Sequence, residues 1–221
     1  MQKYIILSLS FLLLGCNSCI VNMNWFGLNI KGSGNIINEG RELGDFHTVN
    51  LLGSMDVNIV AGNTYSCNVK GDDNLMPLLK TTVHDNILEI SIEGSYSTNS
   101  SLVIYLEMPV LEKAYIAGSG EMTITDVTKD KVIFNISGSG DITASGKVEV
   151  LEASVSGSGD LRLGNLHANH ANVIINGSGD ANVWVEQSIS AQVNGSGDIL
   201  YTGNPAEVNK QVNGSGDITK R

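Results

Sequence analysis

Apolar residues recur along this chain in two rows that straddle a Gly-Ser-Gly core. Two residues before the leading glycine stand Ile116, Ile136, Val155, Ile175, Val193 and Val212. Four residues after it stand Met122, Ile142, Leu161, Ala181, Ile199 and Ile218. Both offsets are even, so in an extended strand these side chains share one face, with both glycines between them. The odd offsets are polar: Ser137, Ser156, Asn176, Asn194 and Asn213, then the motif serine, then an acid. Each unit is therefore a strand with an apolar interior and a polar exterior. Glycine stands where the inner chain must bend or pass close to a neighbour.

The full unit is Gly-Ser-Gly-Asp at 138–141, and it returns at 157–160, 177–180, 195–198 and 214–217. Gly118-Ser119-Gly120-Glu121 and Gly32-Ser33-Gly34-Asn35 replace the aspartate, and Gly53-Ser54-Met55-Asp56 replaces the second glycine. From Gly118 onward the leading glycines are 18 to 20 residues apart. A unit this short cannot bury its apolar side alone, but stacked units bury a continuous core. The period predicts an all-β fold, a parallel β-helix with rungs of roughly three short strands. Rungs stack ~4.8 Å apart, so equivalent outward residues form ladders. Four residues before each leading glycine stand Ala114, Phe134, Ala153, Val173 and Ala191, and then Lys210. The charge arrives at the last rung, where a coil must stop burying surface. Ser145-Gly146, Gly164-Asn165 and Gly203-Asn204-Pro205 supply turn chemistry for the corners.

Residues 28–221 read as one solenoid, with 114–221 regular and 28–113 irregular. Leu28 and Ile30, then Val49 and Leu51, occupy the inward offsets of the first two motif copies. Gly53 and Gly118 are 65 residues apart, more than three periods. The interval holds strand-like runs at 65–69, 81–83, 87–92 and 102–108, which predict longer rungs or antiparallel hairpins on the same solenoid. Asp85-Asn86 between two runs predicts a tight hairpin turn, and Asn74 to Leu79 a single helical turn or a loop. The glycines do not read as a nucleotide cradle: no helical pattern follows them and no Gly-Lys-Ser/Thr occurs.

Residues 1–15 read as a signal peptide. Lys3 is the basic start, and Ile5 to Leu14 is an apolar run of ten residues, too short to span a bilayer. Leu13-Leu14-Gly15-Cys16 resembles a bacterial lipobox, which implies cleavage before Cys16, lipidation of that cysteine, and membrane attachment through the lipid. Residues 16–27 then form a tether, in which Trp25 and Phe26 cap the first rung or rest on the membrane surface. Cys19 and Cys67 are expected to stay unpaired.

The formal net charge of −10 disfavours nucleic acid and anionic lipid as partners. Glu121, Asp141, Asp160, Asp180, Asp198 and Asp217 form one column if the rungs stack in register. Such an aspartate either bonds nearby backbone N–H groups while its charge faces water, or shares a weak Ca²⁺ with its neighbours. Ca²⁺ wants six to eight oxygens, and each rung offers one carboxylate and a serine. Of Arg41, Arg162 and Arg221, only Arg162 falls on this face. His167 and His170 are expected in an exposed corner, without a third metal ligand nearby. No Ser-His-Asp signature is present, so no catalytic residue and no cofactor are assigned. Trp184 and Tyr201 are candidate aromatic platforms for a glycan or another cell-envelope component. At 5% aromatic residues, however, the chain does not spell out a long glycan groove.

The lipobox, Met108-Pro109 ahead of the clean repeats, and the iterated Gly-Ser-Gly-Asp resemble the head GIN domain family of auto-transporter adhesins, abundant in Bacteroidetes. The resemblance covers about residues 30–221. It implies a right-handed parallel β-helix and an exported location, and brings no catalytic residues. In lipoproteins of that type, acids just after the cysteine promote surface export. None occurs in residues 17–27, which favours the periplasmic face of the outer membrane. The expected function is a lipid-anchored, non-catalytic binding module; the alternative is a carbohydrate-active β-helix enzyme.

Overall fold

The computed structural model describes residues 29–221. The expected signal segment, Cys16, Cys19, Leu28 and the tether lie outside the described residues. Every described element is a strand. The N-terminal strands are β1 (Asn29–Lys31), β2 (Ile36–Gly40), β3 (Thr48–Gly53), β4 (Asp56–Ala61), β5 (Ser66–Asp72), β6 (Leu79–His84), β7 (Ile87–Ile92), β8 (Ser95–Ser97) and β9 (Val103–Met108). The repeats supply β10 (Lys113–Gly118), β11 (Glu121–Gly138), β12 (Asp141–Gly157), β13 (Leu161–Gly177), β14 (Ala181–Gly195), β15 (Ile199–Thr202), β16 (Glu207–Gly214) and β17 (Ile218–Lys220).

β10 to β17 wind into a parallel β-solenoid of about five turns. The leading glycines 53, 118, 138, 157, 177, 195 and 214 pair in one unbroken column. Beside them Ile136 pairs with Val155, Val155 with Ile175 and Ile175 with Val193, all buried. The apolar pattern therefore sets the register, because a slip of one residue would turn each of these side chains outward. Val212 is the exception, exposed on the outermost rung. There Lys210 reaches back, 4.9 Å from the Tyr201 ring centre, and donates to the Ile218 carbonyl at 2.9 Å. A charged side chain thus covers the end of the apolar column, as its place in the repeat predicts.

The two motif glycines are not equivalent. The second is buried, as Gly140, Gly159, Gly179 and Gly197 show, whereas the leading glycine is only half-buried. The leading position carries a positive φ (+143° at Gly177), which interrupts strict alternation. Its carbonyl then accepts N–H groups from the serine and second glycine one rung on: Ser178 and Gly179 both donate to Gly157, at 2.9 and 3.3 Å.

The long interval resolves into a reversal of stacking order. β3 and β4 lie directly beside β10 and the start of β11, so Gly53 meets Gly118 and Asp56 meets Glu121. β7 and β9 pair with the opposite edges of β3 and β4. The chain lays down an inner rung, then an outer one, and returns across the first to start the regular series. β2, β5 and β9 pair antiparallel, as do β6 and β7, whose turn holds Asp85 and Asn86 at φ 49° and 62°. Between β5 and β6 the Leu79 N–H bonds the Leu75 carbonyl at 3.2 Å, a single helical turn.

The first motif copy departs from expectation. Gly32 to Asn35 does not join the glycine column, and Ile30 is only half-buried, because β1 pairs with β8 in a separate two-stranded sheet. Two acids, Asp72 at the end of β5 and Asp73 just after it, hold this loop in place of a neighbouring glycine rung. Asp72 accepts from Gly34 N–H at 2.6 Å, and Asp73 accepts from the Ser33 hydroxyl at 2.6 Å and the Asn35 amide at 2.8 Å. Those bonds also hold the Asp73 carboxyl below its ordinary pKa, Ser33 contributing most.

Candidate functional site

The acids of the repeat stand in one outward column, and each carries a specific bond. Asp160 donates its N–H to Asp141 Oδ1 at 2.9 Å, Asp180 to Asp160 at 3.1 Å, Asp198 to Asp180 at 2.8 Å and Asp217 to Asp198 at 2.8 Å. At the first of these rungs the Asp141 N–H still bonds a backbone acceptor, the Gly120 carbonyl, at 3.1 Å. From Asp160 onward the preceding carboxylate takes that place. The aspartate is therefore a surrogate backbone acceptor at the corner, where the regular ladder opens. Charge-assisted bonds of this kind offset the mutual repulsion of stacked carboxylates.

Arg162 supplies a cation to one end of the column, with Nη2 2.9 Å from Asp141 and 3.1 Å from Asp160. Burial works against its charge but is outweighed by Asp141, then Asp160 and Glu121, so its pKa rises. Asp180, Asp198 and Asp217 have no such partner among the described ion pairs. Among the described residues no group of three or more His, Cys, Asp or Glu gathers as a metal site. Beside the acids runs a second ladder, in which Asn213 donates to Asn194 at 2.8 Å and Asn194 to Asn176 at 2.7 Å. Stacked amides tie successive rungs and make this face flat and rigid.

A groove of about 440 Å³ opens next to the acid column, lined by Thr143, Arg162, Asn165, Asn182, Trp184 and Thr202, with Gly164 and Arg221. Its shape follows from a change in rung length. Register is lost between Leu163 and His167, so Gly164-Asn165-Leu166 bulges from β13 and His167 comes to pair with Trp184. The two rings stack at 4.5 Å with 17° between planes, and Trp184 Nε1 donates to Glu186 at 2.6 Å. A side chain at Gly164 would meet the Asn182 amide at 3.2 Å, so the amide lies against the bare backbone of the bulge. Asn182 Oδ1 is the one buried side-chain polar atom among the described residues without a hydrogen-bond partner.

Several sequence expectations need correction here. His167 and His170 have the exposed side chains expected of them, but both lie on β13 rather than in a loop, and His170 Nδ1 lies 2.7 Å from the Ser188 hydroxyl. Tyr201 is no platform, because it points inward and is 5% exposed beneath Lys210. Arg41 serves the fold, donating to the Met76 and Leu79 carbonyls at 2.9 and 2.7 Å. Among the described residues Cys67 forms no disulfide, Cys16 and Cys19 lying outside them; it is buried, and burial pushes its thiol up to about 11. Asn165, Asn182, Thr202 and Arg221 entered no candidate set. The signal for them was the shift from a 20-residue to an 18-residue rung at Gly177, which marks a bulge.

Solved structures share this architecture. A "putative adhesin" from Bacteroides fragilis is 23% identical, aligns over 87% of this chain and 100% of its own, and has a TM-score of 0.71. A "putative lipid binding protein" from Parabacteroides distasonis is 25% identical over 88% and 100%, with a TM-score of 0.59. A "putative adhesin" from Parabacteroides merdae is 18% identical over 87% and 99%, also with a TM-score of 0.59. Curated proteins give no match. The family model described as "putative auto-transporter adhesin, head GIN domain" matches residues 45–205, which take in six of the seven glycines of the stacked column. The chain belongs to the head GIN domain family.

Proposed function

We propose that this protein is an exported, lipid-anchored module that binds a cell-envelope or surface component without catalysis. The observation that carries this reading is the outward face, where Asn and Asp ladders are bonded in register over successive rungs. A rigid array of donors and acceptors suits recognition, because little ordering entropy is lost on binding. Family membership and the adhesin-named structural relatives support an envelope-associated binding role. In this reading the anchor is a lipid on Cys16 of the lipobox, and the lack of acids in 17–27 favours the periplasmic face of the outer membrane over the cell surface. Weak, collective Ca²⁺ binding by the column of Asp141, Asp160, Asp180, Asp198 and Asp217 is a subsidiary part of the proposal; the outer oxygens of Asp141 and Asp160 are paired with Arg162, so those of Asp180, Asp198 and Asp217, with waters, make up the ligand set. No step of chemistry is assigned to the carboxylates, since any Asp ladder brings pairs of them within glycosidase reach.

The anchor is tested by metabolic labelling with a palmitate analogue. Wild type should take the label and partition with membranes, while Cys16→Ala should do neither. A wild type without label, or a variant still membrane-bound, would remove the anchor. Protease treatment of intact cells should leave the protein uncut if it faces the periplasm. For calcium, a millimolar concentration at fixed ionic strength should raise Tm in wild type and not in the Asp160→Asn, Asp180→Asn, Asp198→Asn variant.

A further inference from the structure

We infer that the groove beside Trp184 is a binding site for a neutral saccharide. This rests on the binding-module reading and names the ligand class of one site on it. Three features meet there. Trp184 is fixed from one side by the stacked His167 ring and from its edge by the bond to Glu186, so its orientation is set before any ligand arrives. The rest of the indole borders the groove, where the next rung presents only the short side chain of Thr202. A held aromatic surface is what the apolar face of a sugar ring packs against.

The second feature is the polar lining. Amides of Asn165 and Asn182 and hydroxyls of Thr143 and Thr202 offer both donors and acceptors. A polyol hydroxyl, itself donor and acceptor, matches such a mixture; a purely apolar ligand does not. The third feature is Asn182 Oδ1, which is buried without a donor. An acceptor left in that state is costly and asks for an explanation. Asn182 lines the groove, so a hydroxyl of a ligand seated there supplies the donor that this oxygen lacks.

Charge decides between neutral and acidic sugars. The groove adjoins the acid column, and the Arg162 guanidinium is already held by Asp141 and Asp160. The chain as a whole carries −10. A uronate would therefore meet repulsion with only Arg221 to answer it, whereas a neutral ring would not.

The test uses intrinsic fluorescence and calorimetry. The chain has two tryptophans, so Trp25→Phe leaves Trp184 as sole reporter in an otherwise intact protein. Cellotetraose and chitotetraose serve as neutral probes, and tetragalacturonate as the acidic one. At least one neutral probe should perturb the indole emission saturably, with tetragalacturonate weaker. Trp184→Ala should bind that probe roughly tenfold or more weakly by calorimetry. Thr202→Gln, which fills the groove from the neighbouring rung, should weaken it similarly while leaving Tm unchanged, so loss of fold is not mistaken for loss of a site. Absence of binding by every neutral probe, tighter binding of tetragalacturonate, or full affinity in both variants overturns the assignment. A pull-down of purified cell envelopes run in parallel separates the two levels. Envelope binding retained by both groove variants leaves the binding-module reading standing and ends the groove's part in it; no envelope binding by wild type ends the reading itself.

Discussion

Replacing Asp180 by asparagine and, separately, by alanine separates two things its carboxylate does. Asp180 Oδ1 accepts the Asp198 N–H at 2.8 Å, and the same carboxylate repels those of Asp160 and Asp198. It stands outside the Arg162 ion pairs, so no guanidinium masks the result. Two unit charges one rung apart, ~4.8 Å, repel by about 0.9 kcal/mol in water. Physiological salt removes roughly half of that at this distance. Asparagine keeps an acceptor oxygen and drops the charge, so relief of two repulsions opposes the loss of a charge-assisted bond. The net change should fall within about 1 kcal/mol of zero. Alanine gains the same relief but leaves the Asp198 N–H to water, so it should be less stable than asparagine by about 1 kcal/mol. For a chain of this size that is roughly 2–4 °C in Tm. Thermal melts at low and high salt provide the assay. The asparagine-to-alanine gap should persist in high salt, whereas the wild-type-to-asparagine gap should change with it. Equal melting of the two variants would refute the surrogate-acceptor role.

Two further substitutions probe the interior. Val155 is fully buried between Ile136 and Ile175, so Val155→Asp should cost more than about 4 kcal/mol by urea denaturation; a variant near wild-type stability would mean the register is wrong. Gly34 has φ +84° and open space around its missing Cβ, whereas a Cβ at Gly179 would run into the Gly159 carbonyl. Gly34→Ala should therefore cost only about 1–2 kcal/mol of backbone strain, and Gly179→Ala at least about 3 kcal/mol because rung spacing cannot yield. The reverse order would show that close stacking is not what fixes the second glycine.

The register of the regular rungs was legible because two independent periodicities agree. The even-offset apolar residues choose a face, and the leading glycines at 118, 138, 157, 177, 195 and 214 choose a level. Either one alone leaves a slip open, and together they exclude it. Gly53 was equally legible as a motif, yet its partner is Gly118, which follows 65 residues later. Stacking order is a property of the path between rungs, and no local pattern records that the chain will return across an earlier rung. Gly32-Ser33-Gly34-Asn35 shows the converse. Its letters match the motif, but the acids that hold it, Asp72 and Asp73, are far along the chain, so spelling alone assigned it to the wrong sheet.

The same contrast explains why the acid column was readable and the groove was not. The Gly-Ser-Gly-Asp motif returns to one level on every rung, so the column can be read from the motif, and each Asp Oδ1 meets the next N–H whether the offset is 18, 19 or 20 residues. A site that differs from its neighbours needs a place where counting fails. Between Leu163 and His167 the offset to the next rung drops from 20 to 17 residues. That drop brings His167 onto Trp184 and presses Asn182 over Gly164. Counting from Gly157 places His167 ten residues on and counting from Gly177 places Trp184 seven on, so parity arithmetic keeps apart two rings that the fold stacks. In a solenoid the uniform rungs supply rigidity, and individuality is confined to irregular ones. The unequal rung lengths flanking Gly177 were therefore the feature of the sequence with most to say about where this protein can recognise something else.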